Sequence, residues 1–232
     1  MLVKDWMNKP AITINWDGGL PEAVNLLQQH GIHFLPVMEG ARLVGTVTDQ
    51  DLKIASASGF KSGITPGVDN SIFQTQVNEI MTTDPMTIFY DQTVVEAAEL
   101  LLIQRIMEMP VIDRAEKVVG TITKSDLFRF ILMMSGAGPN SIQIALEMLD
   151  RPGCFKEVTD TIRDYGARVS NIMSTRVRAA NGYQRVYIRI NHIDRPCFAR
   201  FIEVLKKKVK ILYIIDHREK ARGEFWGQQA KV

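Results

Sequence analysis

"GTVTDQD" occupies Gly45–Asp51 and "GTITKSD" occupies Gly120–Asp126. The two stretches differ at three of seven positions. In each, a β-branched run reads as the end of a strand, and the Asp three residues after the last Thr reads as a helix start. Working outward, the match continues in a fixed register. At an offset of 74, Met7 pairs with Met81, Thr13-Ile14 with Thr87-Ile88, Asp17 with Asp91, and Glu22-Ala23 with Glu96-Ala97. Leu26-Leu27 likewise pairs with Leu100-Leu101, Ile32 with Ile106, and Pro36-Val37 with Pro110-Val111. One residue is inserted near Asp113–Lys117, and the offset becomes 75 for the quoted stretches. The chain therefore carries an internal repeat.

Each copy shows the same order of elements. A short extended segment ("AITI", "PMTI") precedes a helix, and two strands ("FLPVME"/"RLVGTVT" and "EMPVID"/"KVVGTIT") lead into a second helix from Asp49 or Lys124. In the second copy Val94, Ala97, Ala98 and Leu101 fall on one helical face. Gly18-Gly19 and Pro21 weaken the corresponding helix start in the first. A βαββα unit of roughly 55 residues is small for independent stability, so two copies packed together are expected.

The 232 residues are 46% hydrophobic, enough for a substantial core. No apolar run approaches the roughly 20 residues of a membrane span, and "MLVKDWMNKP" does not read as a secretory signal. Cys154 and Cys197 have no metal-type spacing and read as free thiols of a cytoplasmic protein. The net charge of +2 is uneven: residues 1–149 hold 10 Lys/Arg and 17 Asp/Glu, and residues 150–232 hold 18 and 9. Two units with different surfaces are expected, the second basic.

Between the repeats, "SASGFKSGITPGVDNS" reads as an insertion or lid. "MMSGAGPN" at Met133–Asn140 reads as a linker. Beyond it come a strand ("SIQIALEML"), a helix built on Phe155, Val158, Ile162 and Tyr165, and a strand ("RVSNIMSTRV"). An "AANG" turn, a further strand ("YQRVYIRI"), a helix opened at Asp194 and a last strand ("VKILYIID") follow. The order is βαββαβ, which is ferredoxin-like. The fold class is α+β, with repeats at 1–58 and 77–134, an insertion at 59–76, a linker at 135–140, the βαββαβ domain at 141–217 and a tail at 218–232.

Chemically, the Thr–Asp stretches have two readings. A helix N-terminus attracts anions; beside it, Thr48 or Thr123 can donate to a phosphate and Asp51 or Asp126 can accept from a ribose diol. Alternatively the Asp residues are helix caps and the Thr residues strand ends. No H-x-x-H, H-E-x-x-H, G-x-S-x-G or Walker motif is present, so no catalytic or metal site is assigned.

"IMTTDPMTI" at Ile80–Ile88, "MPVID" at Met109–Asp113 and the paired G-x-x-T-x-x-D stretches resemble a tandem of CBS domains, a Bateman module, covering Met1 to about Met134. The resemblance implies a non-catalytic regulatory sensor that holds an AMP/ADP/ATP-like adenosyl ligand in clefts between repeats. Carried over, one site would use Thr13, Ile14, His33, Leu35, Pro36, Thr48 and Asp51. The other would use Thr87, Ile88, Met107, Met109, Pro110, Thr123 and Asp126, with Arg105 a phosphate contact. Few cations (Lys53, Arg105, Lys124, Arg129) favour AMP, ADP or another adenosyl compound over a triphosphate.

"LDRPGCFKEVTDTI" at Leu149–Ile162 and "YGARVSNI" at Tyr165–Ile172 resemble an ACT domain. That resemblance implies an amino-acid effector held by Asp150, Gly153, Cys154, Phe155, Asn171 and Ile172, or alternatively a plain turn at Pro152-Gly153. The domain order resembles bacterial acetoin-utilisation-type CBS proteins, and implies a homodimer acting on an unidentified regulated protein. Two other classes stand beside this one. One is a dimerisation scaffold with empty clefts. The other is a nucleic-acid binder through the basic half, which the lack of an RRM aromatic motif in "YQRVYIRI" disfavours.

Overall fold

The structure, a computed structural model, describes residues 1–61, 75–138 and 140–217. Most of the expected insertion (62–74) and the tail (218–232) lie outside the described residues. The chain forms two compact units that divide between Phe130 and Ile131.

In the first unit, repeat 1 comprises β1 (Ile14–Asn15), α1 (Leu20–His30), β2 (Phe34–Glu39), β3 (Arg42–Thr48) and α2 (Asp49–Lys61). Repeat 2 comprises β5 (Ile88–Phe89), α3 (Val94–Ile103), β6 (Glu108–Ile112), β7 (Val118–Thr123) and α4 (Lys124–Met134), preceded by a short β4 (Thr82–Thr83). The expected βαββα order is present in both. In each repeat the first strand runs parallel to the second, and the second antiparallel to the third. The two first helices start differently, as their sequences suggest. Thr93 caps α3 by accepting from the Glu96 amide, while Glu96 accepts from the Thr93 amide and hydroxyl at 2.7 and 2.6 Å. Gly19 gives α1 no side-chain cap; that helix relies on Pro21 in its first turn and on Gly31, which ends it at φ 60°.

Each repeat has its own apolar core, and each core takes in one residue from outside its βαββα span. Val77 packs with Ile14, Leu35, Val47 and Leu52 of repeat 1, while Val3 packs with Ile88, Leu101, Met109 and Ile122 of repeat 2. The backbone follows the same exchange. β4, which leads into repeat 2, pairs with β3 of repeat 1 through Gly45↔Thr83 and Thr46↔Thr82. Asn8, which leads into repeat 1, pairs with Thr121 on β7 of repeat 2. The arrangement requires the glycines of the quoted stretches. A Cβ on Gly120 would lie 2.6 Å from the Asn8 carbonyl oxygen and 2.8 Å from the Met7 sulfur. One on Gly45 would lie 2.6 Å from the Met81 sulfur and 2.9 Å from the Thr82 carbonyl oxygen.

The second unit contains β8 (Ile142–Leu149), α5 (Cys154–Asp164), β9 (Arg168–Thr175), β10 (Tyr183–Asn191), α6 (Arg195–Lys206) and β11 (Lys210–Asp216). Its antiparallel sheet has the order β11-β8-β10-β9, the ferredoxin-like arrangement expected from the βαββαβ reading. Val186, Ile188 and Ile190 on β10 join Val158 and Ile162 of α5 and Phe201 and Leu205 of α6 in one core. Tyr183, Arg185, Tyr187 and Arg189 alternate with them and leave the opposite face of the strand. The β9–β10 connection is longer than the "AANG" turn suggests: it runs from Arg176 to Gly182, with left-handed residues at Arg178 (φ 61°) and Gly182 (φ 78°). Gly136 packs on β9, where a Cβ would come within 3.0 Å of Ser170.

Gly120→Ala should cost about 2 kcal/mol, a fall in Tm of roughly 5 °C, because the clash is with backbone. Gly45→Ala should cost less, because the first atom met is a flexible thioether. Calorimetry of the two variants checks the order; a Gly120→Ala protein as stable as the parent contradicts the close approach.

Candidate ligand-binding cleft

The repeated Thr–Asp stretches fold locally in the same way. The Thr48 amide and hydroxyl both donate to Asp51 Oδ2, at 2.8 and 2.7 Å, and the Asp51 amide donates back to Thr48 Oγ1 at 3.2 Å. Thr123 and Asp126 repeat the pattern at 2.9, 2.8 and 3.2 Å. Each pair therefore closes its helix start reciprocally, with the Thr at the N-cap and the Asp at N3, so the Thr residues expected as plain strand ends share the capping. Asp126 does more than cap. It is 2% exposed, its Oδ2 also accepts from Asn8 Nδ2 at 2.8 Å, and its Oδ1 accepts from Arg129 at 3.1 Å. Asn8 reaches it only because the segment leading into repeat 1 crosses to β7.

Around Asp126 lies a cleft of about 650 Å³. The crossing segment supplies Asn8, Pro10 and Ile12. Repeat 2 supplies Met107, Glu108, Thr123, Lys124, Asp126 and Arg129. Repeat 1 supplies His33, Phe34, Thr48 and Asp49 among others. The N-termini of α2 and α4 both open here, at Asp49 and Lys124. The site thus offers apolar walls, hydroxyls, carboxylates and the positive ends of two helices.

Of the adenosyl-site residues expected from sequence, the cleft brings together His33, Thr48, Met107, Thr123 and Asp126. Asp51 stands beside it, with its carboxylate engaged by Thr48. Ile14, Leu35, Ile88 and Met109 point their side chains into the repeat cores, and Pro36 and Pro110 are buried as well. The reason is that β2 and β6 are covered on both faces, so "LPV" and "MPV" contribute to packing. Thr13, Thr87 and Arg105 are not among the residues lining this cleft; Arg105 is an exposed, left-handed residue (φ 56°) just past α3. The grouping by repeat is also altered. Thr123 and Asp126 of repeat 2 share a cleft with the segment preceding repeat 1, which the alignment of repeats alone does not reveal.

Glu108 and Asp49 are residues that the sequence reading missed. Glu108 opens β6, faces Thr123 across the ladder and occupies the position equivalent to Phe34 in repeat 1. Its carboxyl has no hydrogen-bond or ion-pair partner among the described residues. Burial pushes it up, and the Asp49 and Asp126 carboxylates add to the effect, to about 7. Asp49 itself is held below the ordinary carboxylate range by a hydrogen bond from Lys53 at 3.0 Å, with His33 3.5 Å away.

In the second unit the expected effector residues do not converge. Asp150 pairs with Arg176 at 2.6 Å. Gly153 is left-handed (φ 83°) at the start of α5, with open space where a Cβ would stand. Cys154 is buried in the core and accepts from Gln184 at 3.3 Å, and Phe155 packs against the same core. Asn171 and Ile172 lie in register with Arg189 and Ile188, which in turn face Gln143 and Ile144. Gln143 is six residues along β8 from Leu149, so roughly 20 Å of strand separates Asn171 from the Asp150 turn. The Asn171 amide is instead turned to the Met134 carbonyl. Strand register, which sequence alone does not set, is the cause. Among the described residues no group of His, Cys, Asp and Glu could hold a metal ion.

The family model described as "CBS domain" matches residues 3–58 and 77–133. A CBS domain-containing protein of Dictyostelium discoideum is 35% identical over 133 residues, 57% of this chain and 92% of that protein. The inosine-5′-monophosphate dehydrogenase of Korarchaeum cryptofilum is 31% identical over 120 residues, but the match spans only 22% of that enzyme and 52% of this chain. Among solved structures, the CBS domain pair of protein MJ0100, in complex with 5′-methylthioadenosine and S-adenosyl-L-methionine, is 30% identical. It covers 57% of this chain and 97% of its own, with a TM-score of 0.49.

Unfolded Glu108 ionises near the ordinary 4.5, whereas the folded protein holds the proton to about 7. The native state binds more protons in that window, so this group's contribution to stability falls as pH rises through it. Glu108→Gln should therefore melt a few degrees above the parent at pH 8 and with it at pH 4. Thermal melts at the two pH values check this; an equal offset at both would contradict it.

Proposed function

The chain belongs to the CBS-domain family, and on that premise we propose that it is a non-catalytic regulatory sensor whose cleft takes an adenosyl ligand. The observation that carries this reading is the convergence, in one cleft of about 650 Å³, of Thr123, Asp126 and the start of α4 with the apolar Pro10, Ile12 and Phe34. The volume suits a nucleoside-sized ligand. Asp126 would accept from the ribose hydroxyls, Thr123 and the start of α4 would meet the 5′ group, and the apolar wall would frame the base. The ligand class is AMP, ADP or another adenosyl compound.

Ligand binding here would act on the exchange between repeats, because Asn8 and Asp126 come from different ones. Bound ligand favours the exchanged arrangement only to the extent that it binds this arrangement better than others. A homodimer is part of the proposal; exposed Val95, Leu102 and Ile103 on α3 give an apolar surface suited to self-association. The second unit would serve as an ACT-like effector domain for an amino acid or as a pairing surface, relaying to a regulated protein in the cytoplasm. No helix among the described residues is long and apolar enough to cross a membrane.

One observation favours a scaffold with empty clefts: both Thr–Asp pairs are satisfied internally as caps. Denaturing the purified protein and identifying released small molecules by mass spectrometry separates the two readings. An adenosyl compound is expected. Adding AMP, ADP, ATP or 5′-methylthioadenosine should raise Tm for at least one compound, and Asp126→Asn should weaken that ligand's binding at least about tenfold, on the order of one lost charge-assisted hydrogen bond. No released compound and no thermal response to any of the four would favour the scaffold.

A further inference from the structure

The cleft contains one group that neither the fold nor the reading above uses: the Glu108 carboxyl. We propose that Glu108 sets the charge class of the ligand, so that the cleft takes an adenosyl compound with a neutral or cationic 5′ substituent and discriminates against one that ends in phosphate. This rests on the adenosyl reading and narrows it.

Three observations support the assignment. First, the charged groups around Glu108 leave it uncompensated. From repeat 1, Asp49 faces it, already engaged by Lys53 at 3.0 Å and with His33 at 3.5 Å. From α4, Asp126 faces it, already engaged by Arg129 at 3.1 Å. Lys124, at the start of α4, directs its ammonium toward the Met107 sulfur at 3.5 Å, and His30 completes the titratable lining. The lining carboxylates Asp49, Glu108 and Asp126 outnumber the lining cations Lys124 and Arg129. Second, the fold does not require a carboxyl at this place. The equivalent position in repeat 1 is Phe34, which opens β2 in the same ladder position, opposite Thr48, and is 5% exposed. Third, Glu108 is half-buried and lines the cleft without a donor. A carboxylate so placed is satisfied by a ligand that brings an N–H, O–H or cationic group, and it repels a phosphate within the same low-dielectric space.

Isothermal titration of the full chain with AMP, 5′-methylthioadenosine and S-adenosylmethionine, at pH 8 and pH 6, tests the proposal. The parent should bind at least one of the phosphate-free compounds tighter than AMP at pH 8, by about tenfold or more. Glu108→Gln should shrink that preference to within about threefold, mainly by strengthening AMP. Between pH 8 and pH 6, AMP affinity should rise more in the parent than in Glu108→Gln, because the phosphate's own ionisation near pH 6 affects both proteins alike. AMP binding to the parent at least as tightly as both phosphate-free compounds at pH 8 would overturn the proposal while leaving the adenosyl reading intact. So would an unchanged preference in Glu108→Gln. Failure of all three compounds to bind either protein would overturn the adenosyl reading and this proposal with it.

Discussion

The first unit depends on a close approach of backbone to backbone at two glycines. Where the Asn8 carbonyl meets Gly120, and the Thr82 carbonyl meets Gly45, no side chain fits between the strands. That contact carries each repeat's leading segment across to the other repeat, and with it Val3 and Val77 into the opposite cores. The ladder hydrogen bonds made there are ordinary; their effect comes from location. Because the exchange occurs twice, separating the repeats would expose Val3 and Val77, with Trp6, Met7, Ile80 and Met81 that pack beside them, and unpair two strand edges together. The cleft inherits its shape from the same exchange, since Asn8, Pro10 and Ile12 belong to the crossing segment.

Much of this was legible in the sequence. The fixed register located both repeats, and the "GTVT" and "GTIT" runs did become strand ends followed by helix starts. The βαββαβ order of the second unit was readable from alternation and helical spacing, because Val186, Ile188 and Ile190 mark one buried face without ambiguity. The composition of the cleft was legible only in part. Thr48, Thr123 and Asp126 carry a local motif, and motifs survive in one dimension. Glu108 and Asp49 carry none; their significance comes from facing each other across repeats. The place of Asn171 was illegible for a related reason: its neighbours are fixed by strand register, and the β9–β10 ladder shifts between Arg189 and Ile190.

On the proposed reading, the Thr–Asp pairs let one set of atoms serve stability and recognition together. In both repeats Oδ2 of the Asp is committed to the helix start, and in repeat 2 Asn8 adds a third donor to the same oxygen. Such preorganisation fixes the carboxylate before any ligand arrives, which lowers the ordering cost of binding. The near-symmetry ends at Phe34 and Glu108. Equivalent backbone positions present an aromatic ring on one side of the cleft and an acid on the other. The duplicated scaffold is thus asymmetric at its cleft.

The crossed segments also bear on how the chain emerges during translation. Val3 is synthesised more than a hundred residues before Ile122 and Leu127, yet the core that shelters it includes both. Repeat 1 is likewise incomplete until Val77 has been made. Repeat 1 can close its core once Val77 and β4 have emerged, whereas repeat 2 must recruit Val3 from the far end of the module. The segment around Val3 must stay uncommitted through most of the module's synthesis, and the last strand of the pair closes on it.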